Sequence, residues 1–336
     1  MDPERRQYFD RLQRALEEFP DAAPPGAGRG IVTCGSVRFA PLLWLLVRSL
    51  RYHGCALPIE LWHLGGEVND ALRRLLEPQG VSFREVADPL CPPTPHPRAA
   101  HALKPHAIAH SAFREVLFLD ADNCAFRDPT FLFETTEFRR HRAIFWPDWG
   151  PMTQHLGGPE LRRDFGLRDG PQVEFESGQI VLDKVDRWRA LALTLHLNEH
   201  SDYYYRFLFG DKETFRLAFD LLGSDYFLVP LVPAYQKGLA HFWTDTQPLF
   251  HHRCGRIKRT LLRPRNLPAL PPSELRESLR LLSQHWKPPL RDRLDVYGRA
   301  LQHFMEKVTS PPTVRQALDK RIRSGRAWLS KRGTPW

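Results

Sequence analysis

The feature that most constrains this chain is the apolar run Val116-Leu117-Phe118-Leu119, closed by Asp120-Ala121-Asp122. A short run of this composition reads as a strand buried on both faces, and such strands belong to sheets covered by helices. Its surroundings agree. Strands are predicted at Gly30–Cys34, Pro58–Leu64, Val81–Val86, Glu115–Leu119, Ala143–Trp146 and Gln179–Asp183. Helices are predicted at Phe39–His53, Asn69–Leu76, Ala99–His110, Trp188–Phe209 and Asp211–Leu222, with Asn69 or Asp70, and Asp211, as N-caps. Strands alternating with helices predict an α/β fold with a mixed, mainly parallel sheet.

Composition divides the chain further. Residues 1–20 read as a helix and Asp21–Gly30 as a linker. From Arg253 onward there are 20 Lys+Arg and 6 Asp+Glu, a net of +14, whereas the rest carries −5. The basic character therefore belongs to the C-terminal part, which suggests an anionic partner for it. Domain limits are expected at 1–27 (helix and linker), 28–255 (core) and 256–336 (basic helical extension). No apolar stretch is long enough to cross a bilayer, and residues 1–20 lack the apolar centre of a signal peptide. The five cysteines (Cys34, Cys55, Cys91, Cys124 and Cys254) are scattered, which disfavours disulfides and thiolate zinc sites. A cytoplasmic location is the expectation.

In open α/β sheets, ligands gather at the carboxyl ends of the strands. Asp120 and Asp122 stand at such an end. Two carboxylates held close together repel unless a cation or a proton separates them. Their hard oxygens suit Mg²⁺ or Mn²⁺, ions that also take phosphate oxygens. A surface Asp pair that merely ends a strand is the commoner case. Phosphohydrolases of the haloacid-dehalogenase type also close a buried strand with Asp-x-Asp, but there it ends the first strand; here several βα units precede it and Asn123-Cys124 follows.

Beyond the Asp pair, an ordered series of motifs resembles the GT-A glycosyltransferases, and within them the α-mannosyltransferase family related to fungal Golgi α-mannosyltransferases. The motifs are GIVTCGSVRF (Gly30–Phe39), LPIELWHL (Leu57–Leu64), LKPHAI (Leu103–Ile108), FREVLFLDADN (Phe113–Asn123), AIFWPDW (Ala143–Trp149), FESGQIVLDK (Phe175–Lys184), GDKETF (Gly210–Phe215) and LFHHR (Leu249–Arg253). They cover about residues 30–253. The resemblance implies a GT-A, nucleotide-diphospho-sugar transferase fold (Rossmann-like) and a metal held by Asp120, Asp122 and His252, with His251 standing where a different polar residue is expected.

The same resemblance gives Thr33, Gly35 and Arg38 to a nucleotide-binding turn, Ala121 to the donor, and Lys104 to the diphosphate or donor sugar. It implies that Trp146 and Asp148 contact the sugar; a core Trp and a turn Asp in Pro147-Asp148 are the alternative. In an expected turn at Glu176-Ser177-Gly178, Gly178 would admit the sugar while Glu176 and Ser177 bind hydroxyls. Asp211 and Lys212 correspond to the donor/acceptor pair of retaining members, with Asp211, Glu176 and Lys104 as the catalytic set. The implied reaction moves a hexose, mannose from GDP-mannose, to a glycan or lipid-linked acceptor with retention, using Mn²⁺ or Mg²⁺. A phosphohydrolase and a non-catalytic sugar-binding scaffold are the rival readings.

Other features carry less. His96, His101, His106 and His110 resemble a metal cluster but lack the Glu of a metalloprotease helix. Tyr203-Tyr204-Tyr205, Phe207 and Phe209 read as helix packing. In the tail, Lys320, Arg321, Arg323, Arg326, Lys331 and Arg332 with Trp328 and Trp336 suggest an anionic membrane surface at the inner face. No nucleic-acid motif is present.

Overall fold

The predicted buried strands do assemble into one sheet, seen in a computed structural model. It describes residues 3–19, 22–86, 99–148, 162–163, 165–167, 173–208, 210–235, 238–253 and 269–285. In chain order the strands are β1 (Arg29–Cys34), β2 (Ile59–Leu64), β3 (Val81–Val86), β4 (Glu115–Leu119), β5 (Asn123–Ala125), β6 (Ala143–Pro147), β7 (Phe175–Asp183), β8 (Phe227–Leu228), β9 (Ala234–Tyr235), β10 (Leu239–Phe242) and β11 (Pro248–His252). The α-helices are α1 (Pro3–Glu18), α2 (Ala40–Tyr52), α3 (Asp70–Leu76), α4 (Leu103–His110), α5 (Thr136–His141), α6 (Trp188–Glu199), α7 (Ser201–Tyr204), α8 (Asp211–Leu221) and α9 (Pro272–His285).

Seven strands form the main sheet in the order β3-β2-β1-β4-β7-β6-β8. Only β7 runs against the rest, pairing antiparallel with β4 and β6. The expected α/β class with a mixed, mainly parallel sheet is therefore present. The central strands are buried on both faces: Val116 to Leu119 have no exposed surface, and all nine residues of β7 are buried. One face packs Leu43, Trp44, Leu46, Val47 and Leu50 of α2, with Leu72, Leu75 and Leu76 of α3. On the other face lie Leu103, Ala107 and Ile108 of α4, Trp188 and Leu191 of α6, and Phe215 and Phe219 of α8. Each such side chain contributes roughly 1.5–3 kcal/mol by leaving water. A four-stranded sheet, β5-β11-β10-β9, stands beside the main one.

Several boundaries differ from expectation for physical reasons. The segment Glu176-Ser177-Gly178 is strand, not turn: β6 pairs with Phe175 and Glu176 at its start and β4 with Gln179–Asp183 after it, and the β6 register slips between Phe145 and Trp146. The helix expected over Trp188–Phe209 stops at Glu199. There Asn198 donates to Thr194 O (2.7 Å) and Thr214 Oγ1 (2.8 Å) and accepts from Tyr205 Oη (2.5 Å), which folds the chain back on itself. Asn69, not Asp70, caps α3 by accepting from Leu72 N. Gly210, not Asp211, is the cap of α8, its N–H donating to Glu213 Oε2 at 3.0 Å.

The core limit expected near residue 255 also moves. Helix α9 packs on α2, where Trp44 Nε1 donates to Ser278 O (2.6 Å) and Arg48 pairs with Glu274. The chain divides into two units, Met1–Trp286 and Lys287–Trp336, and the second lies outside the described residues. The Pro-rich loop at Asp88–Pro97, most of the long loop before Gly170, and the basic tail also lie outside them. Among the described residues no helix is long and apolar enough to cross a membrane. Cys34, Cys55 and Cys124 are free thiols.

Near the start of the core, buried Lys184 donates to Pro25 O (3.1 Å), Ala109 O (3.0 Å) and Ser111 O (2.6 Å). One ammonium thereby ties the linker after α1 to the end of α4.

Candidate functional site

Topology brings the predicted residues to the end of β4. Because β7 runs antiparallel, its beginning rather than its end lies beside Asp120, and Asp120 N donates to Gly178 O at 2.8 Å. The chain then turns, with Asn123 N donating to Asp120 O at 2.9 Å, and enters β5. Strand β11 pairs antiparallel with β5, placing His252 opposite Asn123 and His251 opposite Cys124. Neighbouring strand residues point to opposite faces. His252 therefore turns to the Asp pair, while the fully buried ring of His251 packs edge-on against Phe126.

The result is a set of two hard carboxylates and one borderline imidazole nitrogen. His252 Nε2 lies 3.3 Å from Asp122 Oδ1 and 3.9 Å from Asp120 Oδ2. One ligand atom from each of Asp120, Asp122 and His252 lies within 4.8 Å of the other two. Two carboxylates and an imidazole on strand ends fit a small divalent cation such as Mn²⁺ or Mg²⁺. Burial pushes the Asp120 carboxyl up; Lys104 opposes this and Asp122 adds to it. Burial would lower His252, but Glu176 and Asp122 outweigh it and raise the imidazole above its ordinary value.

Lys104, buried on α4, is the positive centre of the site. Its Nζ lies 2.8 Å from Asp211 Oδ2 and 3.3 Å from Asp120 Oδ1, and donates to Ser177 O (2.9 Å) and Ser177 Oγ (2.8 Å). Burial disfavours its charge, yet Asp120 and Asp211 raise its pKa overall. The reciprocal holds for Asp211: burial opposes ionisation, but Lys104 and His101 hold the carboxyl below the ordinary range. His101 Nδ1 stands 3.3 Å from Asp211 Oδ1, and Ser177 Oγ donates to Asp211 Oδ2 at 3.1 Å. Asp211 thus uses its side chain for this cluster instead of capping α8.

Other expected site residues are placed differently. Trp146 has no exposed surface, sits among Trp243 and Phe250, and donates Nε1–H to Phe242 O at 2.7 Å, so its face is closed to a sugar. Asp148 pairs with Lys212, leaving Lys212 joined to this neighbouring carboxylate rather than to Asp211. The space a side chain would need at Gly178 is filled by His252, whose Cε1 would lie 2.8 Å from the added Cβ, not by open room for a ligand. At Gly35 it is Leu43 that fills the space, at 3.0 Å. Thr33 is buried, Arg38 is exposed on the turn after β1, and Ala121 packs partly against the core. His106 and His110 stack on each other at 4.1 Å.

Two neighbours were not picked out from sequence, and a third, His101, stood out only as one of four histidines resembling a metal cluster. Asn123 donates to Gly178 O at 2.5 Å and fixes the turn. His101 precedes Lys104 by three positions, a helical spacing that shares one face and could have signalled it. His241, buried on β10, forms a second close group with Glu176 and His252; nothing local in the sequence marks it.

Comparison with known proteins gives the family of the chain. Over 243 residues the chain is 28% identical to alpha-1,2-mannosyltransferase MNN24 of Candida albicans, covering 60% of this chain and 34% of that protein. It is 25% identical to alpha-1,2-mannosyltransferase MNN21 of the same organism, covering 86% and 50%. The chain therefore spans between a third and half of the length of these relatives. Among solved structures, the galactosyltransferase LgtC in complex with donor and acceptor sugar analogs is similar at a TM-score of 0.49 and 16% identity, covering 79% of this chain and 99% of that one. A family model described as "Mannosyltransferase putative" matches residues 28–156 and 165–240, more than half of the chain, including Lys104, the Asp pair, Glu176 and Asp211, and the chain belongs to that family.

Proposed function

We propose that this chain transfers a mannosyl residue from a nucleotide sugar, GDP-mannose, to a hydroxyl of a glycan or glycoconjugate, with a divalent cation and with retention at the anomeric carbon. The observation that carries the reading is the meeting of Asp120, Asp122 and His252 with the buried Lys104–Asp211 pair at the end of β4. The family and the names of the curated relatives support mannose as the sugar.

Asp120, Asp122 and His252 would hold the cation. When bound, that ion supplies charge neutralisation to a departing diphosphate. Lys104 adds a fixed positive charge to the same place, and its raised pKa keeps it charged across the neutral range. Asp211, held ionised by Lys104, offers negative charge to a sugar centre that becomes positive as its bond to phosphate breaks. Ser177 bridges the two groups and holds them in register.

The test is thermal stabilisation by a panel of nucleoside diphosphates and nucleotide sugars, with and without Mn²⁺, in wild type and Asp122→Ala. A ligand at a hundredfold its Kd adds about 2.7 kcal/mol. A Mn²⁺-dependent shift with guanosine nucleotides, lost in Asp122→Ala, is expected; no shift with any nucleotide would refute the proposal. We extend the proposal to place: the enzyme meets its acceptor at the cytoplasmic membrane face, a reading supported by the net +14 of the segment from Arg253 onward. Failure to pellet with anionic liposomes at low salt would remove that extension.

A further inference from the structure

A metal-binding imidazole has a second nitrogen, and what that nitrogen bonds decides which one carries the proton. In this chain the side of His252 away from the Asp pair is occupied. Its Nδ1 faces Glu176 at 3.4 Å from Oε1, longer than a formed hydrogen bond, and has no other hydrogen-bond partner among the described residues. That same oxygen accepts the N–H of Gly178 at 2.7 Å, which fixes the carboxylate against its own strand.

The fit leaves no spare room. A Cβ on Gly178 would stand 2.8 Å from both Cε1 and Nδ1 of His252 and 3.1 Å from Glu176 Oε1. The imidazole therefore lies against the bare backbone of β7, between the carboxylate of Glu176 and those of Asp120 and Asp122. Beside both Glu176 and His252 stands His241, 1% exposed, with a ring nitrogen within 4.8 Å of each. Neither ring nitrogen of His241 has a hydrogen-bond partner among the described residues.

We infer that Glu176 is a positioning residue that accepts the Nδ1–H of His252, so that Nε2 presents its lone pair between Asp120 and Asp122, with His241 packed beside the pair. This rests on the reading that Asp120, Asp122 and His252 hold a divalent cation. It moves Glu176 away from the sugar hydroxyls, the role the family resemblance implies. The glycine at 178 follows from the same need, since only a residue without a side chain lets the ring reach both sets of carboxylates.

The experiment measures Mn²⁺ binding to the full chain, without nucleotide, from the electron paramagnetic resonance signal of free Mn²⁺. Wild type, Glu176→Ala, Glu176→Gln and Asp122→Ala are compared, with an unfolding curve for each. Loss of such an outer partner typically weakens metal binding about 10–100-fold. That loss is expected for Glu176→Ala. Glu176→Gln should fall between it and wild type, because an amide oxygen still accepts Nδ1–H.

Wild-type Mn²⁺ affinity in Glu176→Ala, with a raised KM for the nucleotide sugar, would overturn the inference and return Glu176 to the sugar. If Glu176→Ala does not fold, Glu176→Gln decides: unchanged affinity overturns the inference, intermediate affinity supports it. Failure of the underlying reading looks different. Wild type would then bind no Mn²⁺, or Asp122→Ala would bind it equally well, and the inference would fall with it.

Discussion

Replacing Lys104 by Met removes the one ammonium that stands among Asp120, Asp211 and Ser177. Nζ contacts both carboxylates, and only 9% of the side chain is exposed. Removing one partner of a buried ion pair typically costs about 3–5 kcal/mol, because the other charge stays buried without compensation. At roughly 2–4 °C per kcal/mol for a chain somewhat smaller than this one, the unfolding midpoint should fall by on the order of 10 °C. The second variant is Asp211→Asn, and the third combines the two. In the double variant one of the two carboxylates left behind by Lys104→Met, that of residue 211, is neutral while Asp120 remains, so its loss should fall short of the sum of the single losses by about 2 kcal/mol, within the usual range for contacting residues.

The pH dependence has a fixed sign. Asp211 is held below its ordinary value of 3.8, so its pairing with Lys104 contributes stability above about pH 4 and loses it as pH falls further. The gap between wild type and Lys104→Met should be widest near neutrality and close toward acid. Denaturant unfolding of all four proteins without metal or nucleotide supplies the measurement. Strict additivity, or a Lys104→Met loss below about 1 kcal/mol, would refute the role given to this pair.

The remaining predictions need single variants. Trp146→Ala should lose about 3–5 kcal/mol in denaturant unfolding, as a fully buried Trp does; a stable variant with weaker sugar binding would restore it to the donor site. Gly178→Ala should lower Mn²⁺ affinity while leaving the fold intact by circular dichroism, since the added methyl meets the His252 ring; unchanged affinity would show that the ring has room to move. Lys184→Met should lose about 2–4 kcal/mol by orphaning the two buried carbonyls of Ala109 and Ser111 and releasing that of Pro25, read from the unfolding midpoint; a neutral result would mean water replaces the ammonium.

Much of the main sheet was legible because its signal is local. Val116–Leu119 is apolar without interruption, and its burial on both faces requires that composition. The Asp pair was legible for the same reason, as charge placed directly after such a strand. The small sheet was not, because β5, β9 and β10 are only two to four residues long and owe their pairing to distant partners. His252 could be assigned from the family resemblance, but its reach to Asp122 depends on the β5–β11 pairing, a long-range fact. Trp146 shows the opposite error. An indole beside Pro147-Asp148 reads as a sugar platform, and only the packing of Trp243 and Phe250 against it shows that its faces are already occupied.

The single reversed strand has a consequence for how such a chain can change. Strand β6 ends at Pro147 and β7 begins at Phe175, and because β7 runs backward both ends of the intervening segment are anchored on the edge of the sheet that carries Asp120. Phe165 and Leu167 within that segment pack against the core formed with α1, α6 and α8, so a change in its length bears on that packing, while β6 and β7 stay paired from Ala143 to Pro147. The scaffold thus treats its parts differently: Glu176 and His252 are fixed by strand pairing, whereas the segment between β6 and β7 is tied to the sheet at its two ends and to the core through Phe165 and Leu167.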